Sequence, residues 1–282
     1  MSASHGPAAV PPKVQASTSL STLTAPAHWR TVDFISDLHL ADDTPKAVSA
    51  WADFLLNTTA DAVFILGDLF EVWVGDDSRH DGFEAHCAAM LAQAAAAKTI
   101  GFMAGNRDFL LGDEMLQSCG VLRLADPTVL VAFGQRVLLT HGDAWCVDDV
   151  AYQAFRLQVR DPAWQTNVLS QPLPQRRLFA RHLRSESERQ MALNVGSTFD
   201  VDTSTALLWM DAARAPTLIH GHTHRPGSNS LAPDRVRHVL SDWELDSIDP
   251  TIPERAEVLR WHDGHFERLT LHDAQATRVA SA

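Results

Sequence analysis

The sequence lacks the features of several specialised protein classes. Its three cysteines, Cys87, Cys119 and Cys146, are too few and too scattered for a disulfide framework or a thiolate zinc site. It has no run of about 18 apolar residues, so we expect no helix that spans a membrane. The first 30 residues contain only two basic residues and no apolar core, unlike a secretory signal. These absences favour a protein of a reducing compartment.

Positive charge is also scarce, because 23 lysines and arginines stand against 35 acidic residues and the net charge is −12. Broad nucleic-acid binding needs a basic surface, so we expect no nucleic-acid partner. The chain is 45 % apolar and 21 % charged, which is a globular balance and excludes collagen, coiled coil and full-length disorder. It contains 14 histidines, a high count for the commonest metal ligand.

Composition divides the chain into a core, an insertion and two tails. Residues 1–29 are rich in serine, alanine and proline and have no aromatic residue before Trp29, which predicts a disordered tail. The other expected parts are a core domain over 30–150 and 201–270, an inserted helical cap over 151–200, and a C-terminal tail over 271–282.

Within the core, short apolar runs alternate with helical patterns. Apolar spacing predicts helices over Pro45–Asn57 and Phe83–Ala97. Short runs rich in valine, isoleucine, leucine and phenylalanine predict buried strands. These runs cover 31–36, 61–66, 98–103, 136–140 and 215–219. Alternating strands and helices indicate an α/β layered domain.

The stretch 151–199 reverses the charge of the chain, with seven arginines against three acidic residues. A helix is predicted from Gln175 to Leu193, and Arg177, Arg181 and Arg184 share one of its faces. A solvated charged face is one interpretation. An anion-binding lid is the other, and the local reversal of charge favours it. The apolar residues of the stretch could cover an apolar ligand or only pack on one another, and the sequence leaves both possibilities open.

Each predicted strand is followed by side chains that bind metals. The carboxyl ends of strands in α/β sheets line the ligand crevice, so these side chains should converge at one edge. Seven candidate ligands result: Asp37, His39, Asp68, Asn106, His141, His222 and His224. One D-x-H pair or one Gly-Asp turn is common by itself, but five such motifs after five apolar runs favour a metal site over ordinary turns.

Oxygen and imidazole donors suit Mn²⁺, Fe²⁺ or Zn²⁺, whereas the absence of thiolates argues against a closed structural zinc site. Alternate residues of a strand point the same way, so Asp37 and His39 could share one ion, as could His222 and His224. Asp68 could bridge two ions. Two metals ~3.5–4 Å apart form the clamp used for in-line attack on phosphorus.

Longer motifs carry a resemblance to a known family. They are FISDLHL (34–40), FILGDLFEVWVGDD (64–77), GNRDFLLG (105–112), LLTHGDAWCVDDVAYQAFR (138–156) and LIHGHTHRP (218–226). These strings resemble the calcineurin-like metallophosphoesterase superfamily and, within it, the UDP-2,3-diacylglucosamine pyrophosphatases. The resemblance is loose over 157–200. It implies a four-layered α/β fold, a β-sandwich flanked by helices with an inserted helical cap.

The same resemblance implies a dinuclear hydrolase with two Mn²⁺ per chain. Asp37, His39, Asp68 and His224 would hold one ion, and Asn106, His141 and His222 would complete the second, with Asp68 shared. The implied reaction is hydrolysis of UDP-2,3-diacylglucosamine to UMP and 2,3-diacylglucosamine 1-phosphate in lipid A synthesis. Such a protein would be peripheral, at the cytoplasmic face of the bacterial inner membrane.

Arg107 occupies a position where most of the superfamily has a histidine that assists the leaving group. An arginine cannot be a general acid, because its pKa exceeds ~12. A phosphate monoester leaving group needs no proton, since its second pKa is about 6, and arginine can bind its oxygens bidentately. We therefore predict that Arg107, beside Asn106, has a catalytic and substrate-binding role in a pyrophosphatase. A salt bridge to Asp108 or another neighbour is the alternative.

Other substrate contacts are expected from the resemblance and from position. Asp149 and Tyr152 match family positions that contact the substrate head. Arg184 and Ser187 match the insertion helix by spacing alone. Trp73 and Phe109 lie beside metal-site motifs and could line the acyl or glucosamine pocket, with core packing as an equal alternative for both.

Two rival functions remain open at this stage. One is hydrolysis of soluble nucleotides or dinucleoside polyphosphates, which would not need the apolar, arginine-bearing insertion. The other is a non-catalytic scaffold of the same fold, which should have lost ligands that are all present here. The net charge works against a nuclease.

Overall fold

Two six-stranded sheets form the centre of the computed structural model, which describes residues 20–182 and 199–276. The strands in this part are β1 (Ser21–Thr24), β2 (Thr31–Ile35), β3 (Ala62–Leu66), β4 (Thr99–Met103), β5 (Leu122–Leu124), β6 (Thr128–Ala132), β7 (Gln135–Leu139), β8 (Thr217–His220), β9 (Gly227–Ala232), β10 (Arg235–Val239), β11 (Glu257–His262) and β12 (His265–Thr270). The helices are α1 (Pro45–Asn57), α2 (Gly82–Ala95), α3 (Asp113–Cys119), α4 (Val150–Val159), α5 (Pro162–Leu169), α6 (173–182), α7 (Thr203–Ala213) and α8 (Leu271–Gln275).

Strand order brings the ends of the buried strands to one edge. The first sheet runs β1-β6-β7-β8-β10-β9 and the second β12-β11-β2-β3-β4-β5. Strands β2, β3, β4 and β5 are parallel to one another, and so are β7 and β8. The loops that leave the carboxyl ends of β2, β3 and β4 are therefore neighbours, as the α/β pattern predicts.

Three apolar clusters make four layers. Phe34, Phe64 and Trp261 lie between the two sheets. Helices α1, α2, α3 and α8 cover the outer face of the second sheet, where Trp51 is fully buried. Helix α7 covers the first sheet, and its Trp209 stacks on Trp145 with ring centroids 5.9 Å apart. Because β3 has apolar neighbours on both faces, its five residues form a continuous apolar run.

The predicted elements of the core are confirmed. The five apolar runs correspond to β2, β3, β4, β7 and β8, and the first predicted helix matches α1 at both ends. Helix α2 begins and ends within two residues of the predicted Phe83–Ala97. The antiparallel strands β6, β9, β10, β11 and β12 were not predicted. Several of them carry arginine, serine or histidine, because one face is exposed and pairing, rather than apolar content, holds them.

Both predicted tails extend too far into the chain. Within the expected disordered tail over 1–29, β1 pairs with β6, and Trp29 is buried with its ring centroid 6.0 Å from that of Phe64. Within the expected C-terminal tail over 271–282, α8 packs on the core through the fully buried Ala274. Backbone pairing and aromatic burial order the first segment, which composition alone does not reveal.

Helices α4, α5 and α6 are the described part of the insertion. They are short, as three prolines in the stretch predict, and α5 begins with Pro162 at its first turn. The helix predicted from Gln175 to Leu193 is described only as far as residue 182, and the remainder lies outside the described residues. No helix in the described ranges is both long and apolar enough to cross a membrane.

Candidate metal centre

Most of the seven candidate ligands lie in left-handed turns just beyond the strands. Nine non-glycine residues of the described chain have positive φ, and the five that are candidate ligands are Asp37, His39, Asp68, His222 and His224. The other four lie at hairpin turns or at the end of α7. Such backbone is costly for residues with a Cβ, and it concentrates at functional sites. The strained turns therefore mark this edge as a functional site.

The first group of converging donors is Asp37, His39 and His224. The Nε2 atoms of the two histidines lie 3.3 Å apart, and His224 Nε2 is 3.6 Å from Asp37 Oδ1. The Nδ1 atoms turn away from the cluster. His39 Nδ1 bonds to Glu71 Oε2 at 2.9 Å, and His224 Nδ1 lies 3.4 Å from Asp242 Oδ2. One ring nitrogen of each histidine thus faces the donors and the other is held by a carboxylate.

The second group is Asp37, Asp68 and His141, so Asp37 belongs to both groups. His141 Nε2 lies 3.7 Å from Asp68 Oδ2, and its Nδ1 contacts the backbone oxygen of Leu66 at 2.8 Å. Asn106 joins this group, since its Oδ1 is 2.9 Å from His141 Nε2 and 2.8 Å from His222 Nδ1.

The structure separates His222 from His224, which strand geometry had placed on one ion. The two residues follow β8 in left-handed turns, so the alternation of side chains along a strand no longer applies to them. His222 faces Asn106 and His224 faces Asp37. Asp37 and His39 do share a group, although they too lie beyond the end of β2.

Carboxylates and imidazoles shift one another's pKa within the site. Burial alone would lower the pKa of His141, but Asp68 and Asp37 outweigh it and raise that pKa to about 9. Burial alone would also lower the pKa of His224. Its contacts with Asp242 and Asp37 outweigh burial and raise that pKa to about 10. The neighbouring histidines hold the pKa of Asp37 well below its usual range despite burial. This density of buried negative charge and imidazole nitrogen, without thiolates among the donors, fits divalent cations.

Two motif glycines leave room for the ligands. A Cβ on Gly105 would lie 2.1 Å from Asp68 Oδ1, and a Cβ on Gly221 would lie 2.2 Å from Asp37 Oδ2. Any side chain at these positions would displace a carboxylate. Gly105 and Gly221 therefore contribute to the site because they have no side chain.

Arg107 follows the candidate ligand Asn106, and its side chain lies near Glu71, the partner of His39. Its backbone N–H donates to Asp68 Oδ1 at 2.8 Å, and its NH1 lies 3.6 Å from Glu71 Oε1. The alternative of a salt bridge to a neighbour is seen with Glu71 and not with Asp108, because the buried Asp108 accepts the backbone N–H groups of Leu69 and Gly105. Arg107 is thus a partly exposed cation at the edge of the candidate centre.

Helix α4 of the cap is held next to the second group through the buried Asp143. Tyr152 Oη donates to Asp143 Oδ2 at 2.6 Å, and Arg156 Nε donates to the same oxygen at 2.7 Å. The Tyr152 ring lies beside that of His222, with centroids 5.8 Å apart. Asp149 caps α4 by accepting the backbone N–H of Tyr152 at 3.0 Å.

Several cap arginines have partners on the core. Arg160 donates to the backbone oxygen of Gly105 at 2.7 Å, and Arg177 donates to Glu84 at 3.0 Å. Arg176 is buried and bonds to Asp77 and to the Val74 carbonyl. Part of the positive charge of the insertion therefore ties the cap to the core. An anion-binding role can rest only on the other arginines.

The other predicted substrate contacts are Trp73, Phe109, Arg184 and Ser187. Trp73 is 2 % exposed, packs on Phe70 and donates its Nε1–H to Asp76 at 3.1 Å, so it follows the core-packing alternative. Phe109 is half-buried between core and cap, with its ring centroid 6.1 Å from that of Trp164. Arg184 and Ser187 lie outside the described residues.

Two contributors to the site were not among the predicted residues. Glu71 and Asp242 hold the outer ring nitrogens of His39 and His224. The available signal for Glu71 was its place three residues after Asp68 in the GDLFE motif. No local motif marks Asp242, which reaches the site from the loop after β10.

The family comparison agrees with this geometry. A family model described as calcineurin-like phosphoesterase matches residues 30–226. The chain therefore belongs to the calcineurin-like phosphoesterase family, and the predicted four-layered α/β fold and hydrolase class are confirmed.

Named relatives show which phosphoesterases this chain resembles. A protein named UDP-2,3-diacylglucosamine hydrolase from Chromobacterium violaceum is 46 % identical over 215 residues, covering 75 % of this chain and 90 % of that protein. A protein of the same name from Stenotrophomonas maltophilia is 43 % identical over 250 residues, covering 84 % of this chain and 97 % of that protein. Among solved structures, a phosphoesterase from E. coli aligns with a TM-score of 0.42 and 16 % identity, covering 86 % of this chain and 94 % of that one.

Proposed function

We propose that the chain hydrolyses the pyrophosphate bond of UDP-2,3-diacylglucosamine with two Mn²⁺ ions, in lipid A biosynthesis. The products would be UMP and 2,3-diacylglucosamine 1-phosphate. The observation that carries the proposal is the convergence of the seven candidate ligands beside Arg107 and under a cap with exposed apolar side chains. The names of the two relatives support the same substrate.

The donors divide between two ions in this proposal. Asp37, His39, Asp68 and His224 would hold one, and Asn106, His141 and His222 would complete the other, with Asp68 shared. When bound, such a pair of ions supplies a hydroxide at neutral pH and neutralises charge on the phosphate oxygens. The left-handed turns after the strands would position the donors toward one another at this edge.

Arg107 would bind the phosphate that leaves with the sugar. Its guanidinium is a permanent cation at the edge of the centre and can form two parallel hydrogen bonds to phosphate oxygens. Because it cannot donate a proton at neutral pH, it stabilises developing charge instead. A pyrophosphate substrate fits this residue, since its leaving group is already a weak base. An alkyl ester would need a general acid here.

The cap would receive the acyl chains. Leu157 on α4 and Leu178 on α6 are 61 % and 63 % exposed. Phe179 and Trp164 pack against each other with ring centroids 6.3 Å apart, and Trp164 reaches Phe109 near the metal edge. Exposed apolar side chains on a cap over a phosphate site fit a lipid that carries a phosphate head. Such a substrate implies a peripheral location at the cytoplasmic face of the inner membrane.

The decisive experiment measures UMP release from UDP-2,3-diacylglucosamine with Mn²⁺ and then with excess chelator. We expect release that needs the metal, and its loss in the Asn106→Ala variant. UDP-N-acetylglucosamine, which lacks the acyl chains, should be a poor substrate. Turnover of soluble nucleotides or dinucleoside polyphosphates instead would refute the lipid substrate and keep the metal site. Absence of bound metal would favour the scaffold alternative.

A further inference from the structure

The two histidines of the first group share a feature that His141 lacks. His39 and His224 each have a carboxylate on the ring nitrogen that faces away from the donors, at 2.9 Å for Glu71 and 3.4 Å for Asp242. The corresponding nitrogen of His141, Nδ1, meets the neutral backbone oxygen of Leu66 at 2.8 Å. The two groups thus differ in the charge of their outer hydrogen-bond partners.

Both carboxylates are themselves held in place. Arg255 donates its Nε–H to Asp242 Oδ1 at 2.7 Å and its NH2 to Oδ2 of the same residue. Arg107 NH1 lies 3.6 Å from Glu71 Oε1. Glu71 and Asp242 are 13 % and 7 % exposed, whereas the side chain of His224 is 40 % exposed. The orientation of each imidazole is therefore fixed by a chain of charged contacts.

A carboxylate that accepts the outer N–H of an imidazole fixes its tautomer and raises the basicity of the other nitrogen. A backbone carbonyl can fix the tautomer but brings no negative charge. We infer that Glu71 and Asp242 are positioning residues that make the two metal positions unequal, the first group holding its ion more tightly than the second. This inference rests on the proposed ligands but needs no particular substrate.

The test is Mn²⁺ binding to protein freed of metal by a chelator, with free Mn²⁺ followed by its EPR signal. We expect two classes of site. Glu71→Gln and Asp242→Asn should each weaken the tighter class by about 10- to 100-fold and leave the weaker class unchanged. Glu254→Gln is the matched control, since it also removes one negative charge but lies on an exposed pair with Lys46.

Variants that remove a ligand from one group only show which class of Mn²⁺ site belongs to which group. They also keep the inference testable if Glu71→Gln or Asp242→Asn does not fold. His141→Ala should retain the tighter class, and His39→Ala should retain only the weaker one. A circular-dichroism melt checks that each variant is folded. One class of equal sites, tighter binding in His39→Ala than in His141→Ala, or unchanged affinity in folded Glu71→Gln and Asp242→Asn would each overturn the inference. None of these outcomes depends on which substrate is hydrolysed.

Discussion

Replacement of Arg107 by methionine should slow pyrophosphate hydrolysis and leave all seven candidate metal ligands in the chain. The side chain is 23 % exposed at the edge of the centre, whereas the contact with Asp68 is made by the backbone N–H. Methionine keeps most of the aliphatic length and the backbone hydrogen bond. The change therefore removes the guanidinium and its 3.6 Å contact to Glu71 Oε1, and saturating Mn²⁺ in the assay keeps any loss of metal affinity out of the rate.

The magnitude follows from the hydrogen bonds that a guanidinium makes to a charged phosphate. One such bond contributes about 1.5–3 kcal/mol. Since about 1.4 kcal/mol is a tenfold change, kcat/KM should fall about 10- to 150-fold. If Arg107 stabilises charge that develops on the leaving phosphate, most of the loss falls on kcat, whereas a purely ground-state contact would raise KM.

The assay is initial-rate UMP release over a range of substrate, at saturating Mn²⁺. Arg107→Lys keeps the charge without the planar fork and should lie between wild type and Arg107→Met. Arg107→His introduces the residue that most of the superfamily has here, and it should not restore the rate. Mn²⁺ affinity of Arg107→Met is the control for an intact centre. Wild-type turnover in Arg107→Met or in Arg107→His would refute the assigned role.

Three further changes test the site and the fold. Arg260→Met leaves the fully buried Asp33 without its bidentate partner, so urea unfolding should show a loss of about 3–5 kcal/mol, with activity per folded molecule unchanged. Gly105→Ala places a Cβ 2.1 Å from Asp68 Oδ1, and because Asp68 is shared in the proposed ligand set, Mn²⁺ titration should show weaker binding at both sites. Burial, with Arg268 nearby, lowers the pKa of His238 to about 4. The unfolded chain then binds the proton first, so His238 contributes a fall in stability of up to about 1.4 kcal/mol per pH unit from about pH 6.5 down to 4. Burial lowers the pKa of His220 over the same range, so His238→Gln should reduce the slope in melts compared across pH but not abolish it.

Apolar content predicts β2, β3, β4, β7 and β8, and the candidate ligands follow these strands. Strands such as β3, whose five residues are all buried, consist of apolar residues alone, and a ligand follows each one. Strands such as β9 and β10 are half-exposed and depend on pairing with distant neighbours, so their residues carry no clear pattern. Strand β1 was not predicted for the same reason, because its four residues depend on pairing with β6.

Local sequence patterns cannot predict which donors would share an ion. Alternation along a strand placed His222 with His224, but the chain leaves β8 through two left-handed residues and sends the side chains to different groups. The carboxylate partner Asp242 is 18 residues away from His224 in sequence, so only the tertiary fold brings it to the ring. The cap arginines show the same limit, because a charged pattern cannot reveal that Glu84 or Asp143 is the partner.

The strained turns at the site are held in place by the structure packed around them. Positive φ costs a residue with a Cβ of order 1–3 kcal/mol, and five candidate ligands adopt it. The turns after β2 and β3 hold each other, since the N–H groups of Leu38 and His39 both donate to the Asp68 carbonyl at 2.9 and 3.0 Å. The buried strands on either side fix both turns. The packed core therefore offsets the strain, and the donors converge because the sheets place them there.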